Sequence, residues 1–342
     1  MKKIIIIIFL ILIIFFFLFF IFKQKINNAQ EKEIASIIQM NNAITRLQKI
    51  EEEEKNKKEE LSLLFVGDVM LSRDIAKKIQ INGDQKFPFL SVAEKLSGAD
   101  IAVGNLEGPI SSRGRNQGSK YSFRANPEVI EGIQYAGFDL FSLANNHIFD
   151  WGRDALEDTM LILSSSSINF SGVGKNYEDA NRVTVIKKKG YLVGFLSFTN
   201  LYPKTLFATD KKSGISEYDE KKILERIIAI RKEVDVVVVL LHWGNEYETN
   251  SNNTQKKFAR ELIDVGADMV VGHHPHVAQE VEKYKNGIIA YSLGNFVFDQ
   301  GFSKETMKGL ALDVKCIEAH TCSAKPIEVL INNDFQPTFS GL

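Results

Sequence analysis

The stretch Asp268-Met269-Val270-Val271-Gly272-His273-His274-Pro275-His276-Val277 decides how this chain is read. It is a short apolar run that ends in a histidine cluster. Three of the six histidines in the 342 residues fall at 273, 274 and 276. The apolar part has the pattern of a buried strand. His274 and His276 are two apart, so in an extended segment both side chains leave the backbone on the same side. Pro275 restrains the backbone between them. Two imidazoles together at a strand end are the beginning of a metal site.

Other segments repeat the pattern. Leu61 to Val66 is apolar and runs into Gly67-Asp68. Asp100 to Val103 leads to Gly104-Asn105-Leu106-Glu107, and Asp139 to Ala144 leads to Asn145-Asn146-His147. Val236 to Leu241 is a continuous apolar run of the doubly buried type and ends in His242. In open α/β sheets the carboxyl ends of strands carry the chemistry. Five strands ending in Asp68, Glu107, Asn146 with His147, His242, and His274 with His276 are expected to converge at one sheet edge. Two carboxylates, an amide oxygen and three imidazoles suit two divalent ions of the Mn, Fe or Zn type, with a shared carboxylate between them. Such a pair stabilises both the attacking and the leaving oxygen of a displacement. His147 is then free as a general acid.

Between the strands, helices are expected over 89–96, 128–136, 153–163, 219–232 and 254–265. Residues 110–120 form a polar loop, and Arg124 beyond it is either a holder of an anionic group or a surface arginine. A hairpin is expected over 182–198, a strand over 287–296, and antiparallel strands over 310–331. Cys316 and Cys322 flank what looks like the tip of a hairpin. They are either bridged, if the compartment is oxidising, or two free thiols.

The chain outside this region is of a different kind. Ile4 to Phe22 contains only Ile, Leu and Phe, between Lys2-Lys3 and Lys23. That length crosses a bilayer as a helix. Ile21-Phe22-Lys23-Gln24 offers no small-residue cleavage site, so an uncleaved anchor over 1–23 is expected. Lysines on both sides leave its orientation undecided by charge. The ordinary behaviour of N-terminal anchors puts the body outside the cytoplasm. Residues 24–60 form a stalk. Ile37, Met40, Ile44 and Leu47 are spaced for about two heptads, either a single helical spacer or a weak dimer, and Glu51 to Glu60 is a solvated linker. One large domain follows over 61–335, then a tail over 336–342. The formal net charge of −1 and the lack of a basic-aromatic motif argue against nucleic acid as a partner.

Gly67-Asp68-Val69-Met70, Asn105-Leu106-Glu107, Ala144-Asn145-Asn146-His147, His242-Trp243-Gly244-x-Glu246-Tyr247, Gly272-His273-His274-Pro275-His276 and Ser292-Leu293-Gly294-Asn295-Phe296 together resemble the CapA family. These are bacterial capsule synthesis proteins linked to poly-γ-glutamate, and the resemblance covers roughly 62–300. The family in turn resembles the calcineurin-like metallophosphoesterases. That implies an α/β four-layer α/β/β/α sandwich of the metallo-dependent phosphatase type, preceded by an N-terminal transmembrane helix.

By that resemblance Asp68, Glu107, Asn146, His242, His274 and His276 are metal ligands and His147 is the catalytic acid. Arg124, His273, Glu246 and Asn295 are substrate-side candidates. Glu107 stands where the phosphoesterases have a bridging aspartate. Met70 stands where they have a histidine ligand, so the site holds two ions, or one if that loss matters. The implied partners are the membrane, other capsule synthesis membrane proteins and an anionic polymer. Three readings follow: a role in poly-γ-glutamate synthesis or export, a surface phosphoesterase with another ester substrate, and a scaffold with a vestigial site.

Overall fold

The computed structural model describes residues 2–55 and 58–341. The chain divides into two compact units, 1–57 and 58–342.

The first unit is one helix, α1 (Lys2–Lys55). From Ile7 to Phe22 its apolar side chains are all exposed. It has no polar face along that run, and it is long and apolar enough to cross a membrane. The helix continues without a break beyond the apolar run and through the first half of the segment expected as a linker. Residues 24–55 contain no Gly or Pro and are rich in Glu, Lys, Gln and Ile, so nothing in the local chemistry stops it.

The second unit begins with β1 (Leu61–Val69), α2 (Arg73–Asn82), α3 (Ala93–Ser97), β2 (Ile101–Leu106), α4 (Ile130–Ala136) and β3 (Leu140–Ser142). Next come α5 (Arg153–Ser165), β4 (Asn169–Ser171), β5 (Val173–Gly174), α6 (Tyr177–Asn181) and the hairpin β6 (Thr184–Lys188), β7 (Tyr191–Thr199). Then follow β8 (Gly214–Ile215), α7 (Glu220–Ile230), β9 (Val236–His242), α8 (Asn253–Asp264) and β10 (Met269–His273). The last elements are β11 (Val281–Tyr284), β12 (Gly287–Ala290), β13 (Asn295–Val297), β14 (Lys308–Glu318), β15 (Thr321–Ile331) and β16 (Pro337–Phe339).

Two sheets result. The larger has the order β16-β15-β14-β1-β2-β3-β4, with β13 also paired to β1. The smaller has the order β11-β12-β10-β9-β7-β6. Strand alternation shows how they stack. In β9, Val236, Val238 and Leu240 point into one apolar cluster, shared with Leu61, Leu63, Phe65 and Val103 of the larger sheet. Val237, Val239 and Leu241 point into another, shared with Ile223 and Ile227 of α7 and Phe258 and Leu262 of α8. A third cluster joins Leu64 and Val66 of β1 to Ile75, Ile133, Leu156 and Met160 of α2, α4 and α5. Three apolar interfaces separate four layers, α/β/β/α. Each fully buried Val or Leu in them contributes about 1.5–3 kcal/mol.

Two local expectations differ from the structure. The helix expected over 89–96 is a 3-10 turn at Phe87–Phe89 followed by α3, because Pro88 occupies the start of the turn. The strand expected over 287–296 is two strands on different sheets. β12 ends at Ala290 in the smaller sheet and β13 starts at Asn295 in the larger. Gly294, at φ 68°, lets residues 291–294 cross between them. At the far end of the fold, Cys316 and Cys322 lie opposite each other on β14 and β15, Cα–Cα 4.1 Å, and form a disulfide.

Candidate metal centre

The strand ends meet, but not along one sheet edge. β1, β2 and β3 belong to the larger sheet, whereas β9 and β10 belong to the smaller. The meeting point is the mouth of the sandwich, where the carboxyl ends of both sheets face each other. Asp68 lies on β1, and Glu107 and His147 follow β2 and β3. His242 ends β9, and His274 and His276 follow β10. All six are buried, and Asn146 is half-buried.

The histidine cluster is not extended as its spacing suggested. β10 stops at His273, and His274 and His276 have φ of 98° and 59°. Non-glycine residues at positive φ cost roughly 1–3 kcal/mol each and gather at functional sites. The two rings still face one region, 5.9 Å apart. The Pro275 carbonyl accepts from the Tyr247 N–H (2.8 Å), and Tyr247 itself has φ 66°. Gly272 permits this packing, since a Cβ there would lie 1.9 Å from the Tyr291 carbonyl oxygen.

Glu107 is the hub. Its Oε1 is buried with no hydrogen-bond partner. Around that oxygen stand three imidazole nitrogens, His147 Nε2 and His242 Nε2 at 3.9 Å and His276 Nε2 at 4.0 Å. Donors that share one cation at about 2.0–2.2 Å lie roughly 3–4 Å from one another. Two triads of donor atoms, Asp68/Glu107/His242 and Glu246/His274/His276, each lie within 4.8 Å. His242 Nδ1 and His274 Nδ1 are also buried without partners. Buried polar atoms are normally paired. An unpaired carboxylate oxygen among imidazoles fits divalent metal ions.

Other residues hold these groups in place, and their roles were not foreseen. Asn105 Nδ2 donates to Asp68 Oδ1 at 2.8 Å and to Glu107 Oε2 at 2.7 Å. Asn145 Nδ2 donates to Asn105 Oδ1 (3.1 Å) and to the Leu106 carbonyl (2.7 Å). The sequence signal was present: Asn105 is an amide within a strand whose residues are all buried. Asp150 is the third such residue. Its Oδ2 accepts from His147 Nδ1 at 2.7 Å and from the Phe123 N–H at 2.8 Å. That puts the Nδ1 proton toward Asp150 and turns Nε2 toward Glu107. The His-x-x-Asp spacing was its signal.

Asn295 orients His276, Nδ1 to Oδ1 3.0 Å, and donates from Nδ2 to the Thr306 carbonyl. His273 points between the sheets, with Nε2 3.2 Å from the Val66 carbonyl oxygen, so it lies under the site and not at its opening. Glu246 is exposed beside His274 and His276. Arg124 is turned to other partners. Its guanidinium lies 3.5 Å from the Trp151 ring and donates to the Arg113 carbonyl. Met70 is buried with Sδ accepting from Ser72 N–H and Oγ–H, so that position brings no imidazole to the centre.

The charges divide between the two carboxylates. Burial pushes Asp68 up, but the His276 hydrogen bond and the His276 and His273 charges outweigh it, and its pKa ends below the ordinary value. Burial, then the Asp68 charge, pushes Glu107 well above the ordinary value. Burial, with the neighbouring imidazoles, pushes His242 well down and His274 to about 3. At neutral pH these two imidazoles are neutral and ready to ligate, and a cation would oppose the rise that burial and the Asp68 charge impose on Glu107.

A two-sheet α/β/β/α sandwich with a buried His/carboxylate cluster at its mouth is a fold of the metallo-dependent phosphatase type. The 5'-nucleotidase precursor from Thermus thermophilus has this fold, at TM-score 0.50 and 14% identity, over 82% of this chain and 56% of that one. Residues 62–300 match the family described as bacterial capsule synthesis protein PGA_cap, and the chain belongs to that family. It is similar to the capsule biosynthesis protein CapA of Bacillus anthracis, 32% identical over 79% of this chain and 70% of that protein. It is also similar to the PGA biosynthesis protein CapA of Bacillus subtilis strain 168, 31% identical over 78% and 74%.

Proposed function

We propose that this chain is a membrane-anchored protein of capsular poly-γ-glutamate synthesis or export, with a divalent-metal centre of hydrolase type. Membership in the capsule synthesis family and the names of the two CapA relatives supply the pathway. The observation that carries the chemistry is the unpartnered Glu107 Oε1 with three imidazole nitrogens 3.9–4.0 Å away. Asp68, Glu107, Asn146, His242, His274 and His276 hold the metal, with Glu246 beside the last two. We assign two ions, one to each donor triad.

A divalent metal held there would supply Lewis acidity and would favour ionisation of a water. The chain's own residues do the rest. Asp150 holds the His147 proton at Nδ1 and fixes the ring, so that Nε2 is the atom that would give a proton to a leaving amine or alkoxide. Asn105 keeps Asp68 and Glu107 fixed while their charge changes. The body lies outside the cytoplasm on the α1 anchor. The Cys316–Cys322 disulfide supports this, because such bonds persist in oxidising compartments.

The test is metal content of the full-length chain in detergent, reconstituted with Mn, Fe and Zn in turn, beside a His274→Ala/His276→Ala double variant. Bound metal that the variant loses, together with turnover of a γ-linked oligoglutamate, is the expected result. A folded wild type that takes up none of the three metals sinks the catalytic reading and leaves a scaffold.

A further inference from the structure

At the opening of the centre stands a cation that the chemistry above does not use. Arg73 is the first residue of α2 and has φ 53°, a backbone conformation that non-glycine residues rarely adopt. Its guanidinium carbon lies 5.3 Å from the Phe123 ring and 5.9 Å from the Tyr121 ring. The Phe123 ring in turn packs on His147, 4.1 Å between centres. Arg73 is thus one aromatic ring away from the proposed acid. One nitrogen, Nη2, pairs with Asp299 Oδ1 at 2.9 Å. The Asp299 side chain is fully buried, while the Arg73 side chain keeps 36% of its surface exposed. Asp299 Oδ2 is itself fixed by the Asp74 N–H.

The guanidinium is therefore anchored on one edge and presented on the other. A planar fork held this way matches a carboxylate. Tyr247 completes the rim. Its ring is 6.1 Å from His276, and exposed Phe302 packs edge-on to it at 5.2 Å. A γ-linked glutamyl unit carries one free carboxylate and two backbone methylenes. The arginine suits the first and the ring faces suit the second.

We infer that Arg73, with Tyr121 and Tyr247, forms a carboxylate subsite that reads a free carboxylate of a γ-glutamyl chain and sets the neighbouring amide against His147. The inference rests on the polymer reading above and adds the residue that recognises the polymer. It gives Arg73 the role that the sequence left open for Arg124.

The experiment is binding of a γ-linked glutamate decamer to the metal-loaded full-length chain in detergent. The comparison ligand is the same decamer with its side carboxylates converted to primary amides. Arg73→Gln is expected to weaken the acidic decamer at least tenfold, with metal content unchanged. Arg73→Lys, which keeps a charge opposite Asp299 but loses the fork, is expected to recover only part of that. If Arg73→Gln fails to fold with Asp299 left unpaired, Arg73→Gln/Asp299→Asn removes both charges and is measured instead. The amidated decamer is expected to bind weakly and equally to all. Equal binding of the acidic decamer to wild type and variants overturns the subsite alone. A wild type that binds neither decamer overturns the polymer reading and the subsite with it.

Discussion

Replacing Asn105 with alanine tests whether the centre depends on its support as well as its ligands. One amide nitrogen donates to both carboxylates, 2.8 Å to Asp68 and 2.7 Å to Glu107, in a residue with no exposed surface. Without metal, Asp68 is held below its ordinary value and Glu107 well above it, so the bond to Asp68 carries more charge than the bond to Glu107. The substitution then removes one charge-assisted bond, about 1.5–3 kcal/mol, and one neutral bond, about 0.5–1.5 kcal/mol. The metal-free chain is expected to lose roughly 2–4 kcal/mol of stability, read by urea unfolding. With metal bound both carboxylates are ionised, so both lost bonds are of the stronger kind. The difference between the two states, about 1–1.5 kcal/mol, is roughly tenfold in metal affinity. That lies at the lower end of the 10–100-fold range typical of groups supporting metal ligands. The affinity is read by competition against a fluorescent chelator. An affinity within twofold of wild type in a folded Asn105→Ala variant would refute the assignment of Asn105 as the clamp between the carboxylates.

Metal should stabilise the larger unit by mass action, about 2.7 kcal/mol at a hundredfold excess over Kd, and the His274→Ala/His276→Ala variant should show no such rise in melting temperature. Metal affinity should fall as pH falls: Glu107, raised above its ordinary value, must release its proton on binding, whereas His274, lowered to about 3, is already neutral. A chelator titration from pH 5 to 8 should show affinity rising with pH, and an affinity independent of pH would remove Glu107 from the ligand set. Asp150→Asn should leave metal content unchanged and lower turnover about 100-fold or more, because it removes the carboxylate acceptor that fixes the His147 ring through Nδ1. Loss of metal in that variant would mean that Asp150 serves the ligands and not the acid.

Much of the site was legible because buried strands announce themselves. Val236 to Leu241 has the β-branched, continuously apolar pattern of a strand buried on both faces, so a histidine directly after it is expected at a strand end. The same reasoning holds for Asp68 and for the segment before His273. What spacing could not give was the path of the backbone after the strand. The two-residue step from His274 to His276 suggested an extended arrangement, and positive φ at both replaced it. Nor could a run such as 287–296 show that it changes sheets, since periodicity is silent about which neighbour a strand pairs with. The helix through residue 55 was obscured by its own charge, because a run of Glu and Lys suits both a solvated linker and a helix. Arg124 and Arg73 illustrate the remaining limit. Both are arginines near motif residues, and only packing separates the one stacked on Trp151 from the one at the mouth.

The centre draws Asp68, Glu107 and His147 from one sheet and His242, His274 and His276 from the other, so its geometry depends on how the sheets pack. Adjacent leucines on β9 isolate that dependence. Leu240 lies in the cluster between the sheets, and Leu241 lies in the cluster against α7 and α8. Both are buried, at 0% and 1% exposure, so truncation to alanine should cost each a similar 2–5 kcal/mol in stability. Only Leu240→Ala opens space where the two halves of the ligand set are held together. It should weaken metal binding several-fold, whereas Leu241→Ala, one residue nearer to His242 along the chain, should leave it close to wild type. Stability is read by urea unfolding without metal, and affinity by chelator competition. Equal loss of affinity in the two variants would mean that β9 positions His242 by its backbone alone, and that inter-sheet packing does not tune the centre.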